Sequence, residues 1–177
     1  MEKFIELAKK RGSCRAFTDK AVEKELLLSC VEAASLAPSA CNSQPWKFTI
    51  VTDPEKRKEL AELTHDTGFN QWADKAPAFI VVSEDAHPAV IKSVADRYGE
   101  SRFSEGDVGM ATAYLLLQAE ELGLGSCVIG TFVDAKVKRL LGISEADTAR
   151  AIIALGYPAE APRPKKRKGV EEIAKII

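Results

Sequence analysis

Three short segments hold the residue types and spacings that could do chemistry. Arg11-Gly12-Ser13-Cys14-Arg15 sets two guanidiniums and a hydroxyl around a glycine. Arginine presents fork-shaped donors that match phosphate, serine adds a donor, and Gly12 allows close backbone approach. Taken alone, the pentad reads more readily as a solvated basic turn. Pro38-Ser39-Ala40-Cys41-Asn42-Ser43-Gln44-Pro45-Trp46 is dense in amides and hydroxyls. Asn42 and Gln44 each carry a donor and an acceptor, so together they can read the polar edge of a heteroaromatic ring. The plainer reading is a helix-to-strand connection built from turn residues. Arg163-Pro164-Lys165-Lys166-Arg167-Lys168 places five cations in six residues. It reads as a nucleic-acid or localisation patch, as a solvated tail, or as an arm closing over an anion.

The remaining reactive residue types narrow the choice. Cys14, Cys30, Cys41 and Cys127 have no CxxC spacing and read as free thiols in a reducing compartment. With only His65 and His87, and no pair at ligand spacing, no metal ligands are assigned. The chain has 177 residues, 46% of them hydrophobic, with a net charge of −1. That length suits one domain, 1–177, able to bury its own core. The near-zero charge gives no global reason to expect nucleic acid or a membrane as partner. The start is charged, without an apolar leader, so the expected compartment is the cytoplasm.

Helices and strands must position these segments. Apolar spacing predicts helices over Glu2–Lys10, Val22–Leu36 and Pro88–Tyr98. Asp53-Pro54-Glu55 reads as a helix start with a capping Asp, and Asp134 as the cap of another helix that carries Val137, Leu140 and Leu141. Strands are expected at Trp46–Val51, Ala78–Val82, Ser126–Ile129 and Ala149–Leu155, the second buried on both faces. The helix over Asp107–Leu122 is apolar nearly all round: between Val108 and Ala119 only Thr112 and Gln118 are polar. Such a helix must be covered all round, which points to a second subunit on one side. The alternative is a central helix of a monomeric core. Val170, Ile173 and Ile176 have the spacing to anchor the basic strip. The order of elements indicates an α+β domain with helices packed on a central sheet.

The segments taken together, in order, identify a resemblance. The chain resembles the nitroreductase-like family of FMN-dependent oxidoreductases over about Phe4 to Ile173. The marks are Arg-x-Ser-x-Arg (Arg11, Ser13, Arg15), Pro-Ser-x-x-Asn-x-Gln-Pro-Trp (Pro38 to Trp46), Gly-Leu-Gly-Ser (Gly123 to Ser126) and Leu-Gly-Tyr-Pro-Ala-Glu before a basic strip (Leu155 to Arg167).

The resemblance implies a nitroreductase-like fold, with a central mixed sheet flanked by helices, in an intertwined homodimer with FMN at the interface. By match, Arg11, Gly12 and Ser13 belong at the phosphate end of FMN and Arg15 near the ribityl chain and pyrimidine edge. Asn42 and Gln44 approach the isoalloxazine, and Pro38 and Ser39 come from the partner chain. Ile129 and Gly130 lay backbone against the flavin, and Lys165 and Arg167 return to the phosphate. The implied reaction takes hydride from NAD(P)H onto flavin N5 and passes it to a small electron-poor acceptor, such as a nitroaromatic or quinone, in ping-pong fashion. The protein would supply binding, orientation and electrostatics, so no general acid or base is nominated. Alternatives within the fold are dehalogenation, dehydrogenation or a ferredoxin-type donor; a non-enzymatic anion binder is a further one. Phe69, Trp72, Tyr98 and Phe103 are aromatic candidates for a substrate wall or for the core.

Overall fold

The alternation of apolar residues builds the sheet that everything else leans on. A computed structural model describes residues 4–65 and 68–177, so the expected helix start at Glu2 lies outside the described residues. Four strands, β1 (Trp46–Val51), β2 (Ala78–Glu84), β3 (Gly125–Ile129) and β4 (Thr148–Gly156), form one sheet in the order β1-β2-β4-β3. All three pairings are antiparallel. The mixed sheet expected above is therefore corrected. Among the described residues the parallel component is one bridge, Ser13 to Ser126. Strand direction depends on the crossovers, and a link carrying a whole helix permits either sense.

Successive side chains of β2 point to opposite faces. Ala78, Ile80 and Val82 join one core cluster, with Leu27, Cys30 and Ala34 of α2 (Lys24–Ser35) and Val108, Ala111, Leu115 and Ala119 of α5 (Ser104–Glu121). Phe79 and Val81 join the other, with Leu60 of α3 (Pro54–Glu62) and Val137 of α6 (Asp134–Leu141). Helices thus cover both faces, and β2 is buried along its whole length as its unbroken apolar run requires. The register slips between Val82 and Ser83, opposite Ala151 and Ala149, leaving Arg150 as the extra residue. Arg150 then donates to the buried Glu84 carboxylate.

Element ends follow local chemistry. Asp53 caps α3 by accepting from Lys56 N at 2.9 Å, with Pro54 in the first turn. Asp134 is the first residue of α6 and not its cap, which is Val133. The Asp134 carboxylate is used across the fold, accepting from Ala149 N at 2.7 Å and pairing with Lys138 at 2.9 Å. α4 (Lys92–Tyr98) begins four residues after Pro88, because Val90 N turns back to Pro88 O first. No helix among the described residues is long and apolar enough to cross a membrane.

The two chain ends run together. Phe17 pairs with Pro158, Thr18 N donates to Tyr157 O, and Ala159 N donates to Ala16 O. The Tyr157 hydroxyl donates to Glu23 Oε2 at 2.6 Å, which with Lys20 holds the Glu23 carboxyl down at about 2. The last helix, α7 (Val170–Ile173), is one turn long. Val170, Ile173 and Ile176 are all exposed, so the expected anchor is not made within the chain.

Candidate functional site

The C-terminal segment carries its cations back to the first helix, α1 (Phe4–Lys10). Lys165 Nζ donates to Ala8 O at 3.1 Å and to Arg11 O at 2.7 Å. A cation there satisfies carbonyls at the end of α1 and faces its negative pole. Desolvation against the end of α1, then the charges of Arg11 and Arg167, push the exposed Lys165 ammonium below its ordinary value. The Lys165 bond to Arg11 O thus brings the basic strip to residue 11, where the Glu120 carboxylate also acts on the Lys165 ammonium. Among the described residues, the ion pairs formed include none of Arg11, Arg15, Lys165 and Arg167. Cations collected without carboxylate partners suit a multiply charged anion such as phosphate.

Residues 11–15 hold their place by lying along β3. Ser13 bridges Ser126, and Cys14 N donates to Ser126 O at 2.9 Å. Gly125 makes the approach possible, because a Cβ there would stand 2.7 Å from both Cβ and Sγ of Cys14. Arg11 and Arg15 both act on the buried Cys127 thiol of β3. Burial still pushes the Cys127 and Cys14 thiols up, which disfavours the thiolate at both.

Arg15 extends over the Trp72 ring, 5.9 Å from its centroid. It helps line a groove of about 670 Å³ shared with Gly68–Trp72 and Val128–Thr131, which includes Ile129 and Gly130. Ile129 is buried, and Gly130 is exposed. Asn70, left-handed at φ 63°, braces this wall by donating from Nδ2 to Thr64 O at 3.2 Å and Thr131 Oγ1 at 2.9 Å. Of the four candidate aromatics, Phe69 and Trp72 line the groove. Tyr98 and Phe103 instead meet edge to face, centroids 6.1 Å apart, around α4. Sequence reasoning missed Asn70 and Thr131. The one signal was the type of Asn70, two residues beyond Gly68, since Asn tolerates positive φ.

The second polar segment lies elsewhere. Pro38, Ser39, Asn42 and Gln44 lie in the connection between α2 and β1, in and around a 3₁₀ turn at Ala40–Asn42. Cys41, Asn42 and Gln44 all have positive φ, at 53°, 52° and 47°. Each such residue costs on the order of 1–3 kcal/mol and persists where its surroundings over-determine it. Asn42 N donates to Ser39 O, Ser43 N to Ala40 O, and Gln44 N to Ser39 Oγ, all at 3.0 Å. Ala40 N donates to Asp107 Oδ2 at 3.0 Å, which places the turn at the start of α5.

One chain does not bring the two segments together. Lys10 reaches Glu120 at 3.9 Å, so the cationic cluster sits near the far end of α5. Asp107 and Glu120 are separated by roughly 20 Å along the helix at 1.5 Å per residue. The turn leads into β1, and Arg15 lies beside β3, the opposite edge of the sheet. Three strand spacings separate those edges, roughly 14 Å. No residue of 38–44 lines the groove beside Arg15.

Comparison with known proteins agrees in fold and sequence. The sequence model of the nitroreductase family matches residues 8–73 and 64–157. The chain is 31% identical to an NADH dehydrogenase of Thermus thermophilus, covering 94% of this chain and 92% of that protein. It is 28% identical to the FMN reductase (NAD(P)H) of Bacillus subtilis, covering 98% of this chain and 73% of that one. The solved structure of a nitroreductase family protein from Streptococcus pneumoniae superposes with a TM-score of 0.87 at 32% identity, covering 99% of this chain and 100% of that chain. Matches of this extent over one shared α+β fold mean that the chain belongs to the nitroreductase family.

Proposed function

We propose that this protein is an FMN-dependent oxidoreductase that takes hydride from NAD(P)H and delivers it to a small electron-poor acceptor such as a nitroaromatic or quinone. The observation that carries the reading is the return of Lys165 to Arg11 O at 2.7 Å, four residues before Arg15 of the groove, with Arg11, Arg15, Lys165 and Arg167 in no ion pair among the described residues. Family membership supports it, and so do relatives named as an NADH dehydrogenase and an FMN reductase.

The donor set fits the cofactor. Arg11, Gly12, Ser13 and Arg167 would hold the phosphate, with Lys165 fixing the C-terminal segment beside them. Arg15 would lie near the pyrimidine edge, with Ile129 and Gly130 as backbone wall. When bound, FMN supplies hydride transfer at its ring N5. Arg15 is a fixed cation where negative charge collects on reduction, and fixed charge needs no reorganisation at the moment of reaction. Trp72 holds that guanidinium in place. Phe69, exposed at the groove mouth, offers a face on which an aromatic acceptor can stack and exclude water.

The working unit in this reading is a homodimer. Pro38, Ser39, Asn42 and Gln44 are too far from Arg15 to serve the same chain's groove, so a second copy supplies them. Met110 and Tyr114, on the side of α5 facing away from its own core, are 40% and 42% exposed and provide apolar surface for that copy.

The test is direct. The purified protein, incubated with FMN and desalted, retains about one flavin per chain. Its visible absorbance bleaches anaerobically on addition of NADH or NADPH and recovers with a nitroaromatic or quinone. Failure to retain any flavin defeats the proposal. Retention without bleaching by either nucleotide keeps the cofactor and replaces the donor.

A further inference from the structure

Asp107 is a carboxylate buried to 4% exposure, and it takes part in no ion pair among the described residues. It lies in the first turn of the 18-residue α5, where an acidic side chain is favoured by the helix dipole. Its Oδ2 accepts from Ala40 N across 67 residues of sequence.

The turn it holds is strained, with three left-handed non-glycine residues among four. The other hydrogen bonds of residues 38–44 are internal: Asn42 N to Ser39 O, Ser43 N to Ala40 O, Gln44 N to Ser39 Oγ and Gln44 Nε2 to Asn42 O. Internal bonds set the shape of the turn, and its C-terminal end is held where Asp85 N donates to Pro45 O at 2.7 Å ahead of β1. Among the described residues, the Asp107 bond is the one that ties 38–44 to another element. A carboxylate accepting from a backbone N–H is shorter and stronger than a neutral pair.

We propose that Asp107 is a positioning residue of the flavin site: it holds the strained turn so that Asn42 and Gln44 are presented in a fixed orientation to a flavin. This rests on the reading of 38–44 as part of that site. Asp107 itself touches neither cofactor nor substrate. It acts through Ala40.

The experiment compares Asp107→Asn, Asp107→Ala and Asp107→Leu with wild type in the full chain. Asn keeps an acceptor oxygen, whereas Leu fills the volume without one and stands in should the Ala variant not fold. Hydrogen exchange of the 38–45 peptide, without flavin, reads the tether. Titration with FMN and visible circular dichroism of the bound flavin read the consequence. In Asp107→Leu, amide exchange in this peptide accelerates, FMN affinity falls about ten-fold, as loss of one charge-assisted bond implies, and the flavin dichroism changes. Asp107→Asn stays within a few-fold of wild type on each.

Unchanged exchange in Asp107→Leu overturns the tether. Faster exchange with wild-type FMN affinity and dichroism overturns the positioning role. An Asn variant no better than Leu overturns the hydrogen bond as its basis. A wild type that takes no FMN defeats the flavin reading and the positioning role together, while the exchange data still report the tether separately.

Discussion

Lys165 and Arg167 stand two residues apart in the basic strip and do different work. Lys165 donates to carbonyls of Ala8 and Arg11 and so pins the strip. Arg167 bonds only the neighbouring Lys166 O among the described residues, at 3.0 Å, leaving most of its guanidinium for a ligand. Arg167→Ala is therefore expected to weaken FMN binding by about ten-fold, as loss of a charge-assisted contact implies, and Lys168→Ala by much less. Fluorescence titration of FMN reads both, and equal losses would put the phosphate contact at another register. Composition and local order make such a strip visible, yet which of its cations meets a ligand is set by where the strip lands. The same holds for Asp107. It reads as an ordinary first-turn acid, and its use becomes visible only with Ala40 beside it.

At the scale of elements, α5 has two unlike sides. Leu115 is fully buried between the sheet and α2, while Tyr114, one residue earlier, is 42% exposed. Leu115→Ala is expected to cost about 2–5 kcal/mol in urea unfolding, since it leaves a cavity in the main core. Tyr114→Ala should cost the isolated chain under about 1 kcal/mol. A large loss from Tyr114→Ala that depends on protein concentration would reveal the face as a subunit contact. The strands were legible because β-branched runs and period-two alternation are local: Trp46–Val51 forms as expected, and Ala78–Val82 lengthens by two residues. Helix starts were less legible. α5 begins three residues before Asp107, through Ser104, Glu105 and Gly106, with no side-chain cap to announce it.

At the scale of the whole molecule, the chain exposes 10780 Å². Surface scaling for its mass gives roughly 8,400 Å² for a compact monomer. The exposed surface includes the apolar Met110 and Tyr114 of α5 and the C-terminal Val170 and Ile173. If each site takes Arg15 from one chain and Gln44 from the other, a chain carrying Arg15→Ala and a chain carrying Gln44→Ala complement each other. Refolded together at equal amounts, half the dimers are mixed and each has one intact site, so activity returns to about a quarter of wild type. No recovery above the separate variants would place both residues in one chain's site. The sequence by itself determined the α+β class, the strands and the two polar segments, because residue type, period and turn chemistry are local properties. Only the tertiary structure decided that the sheet is antiparallel, that Lys165 returns to α1, and that the Asn42–Gln44 turn lies far from Arg15. Each of these depends on how distant segments cross and pack, which no local pattern encodes.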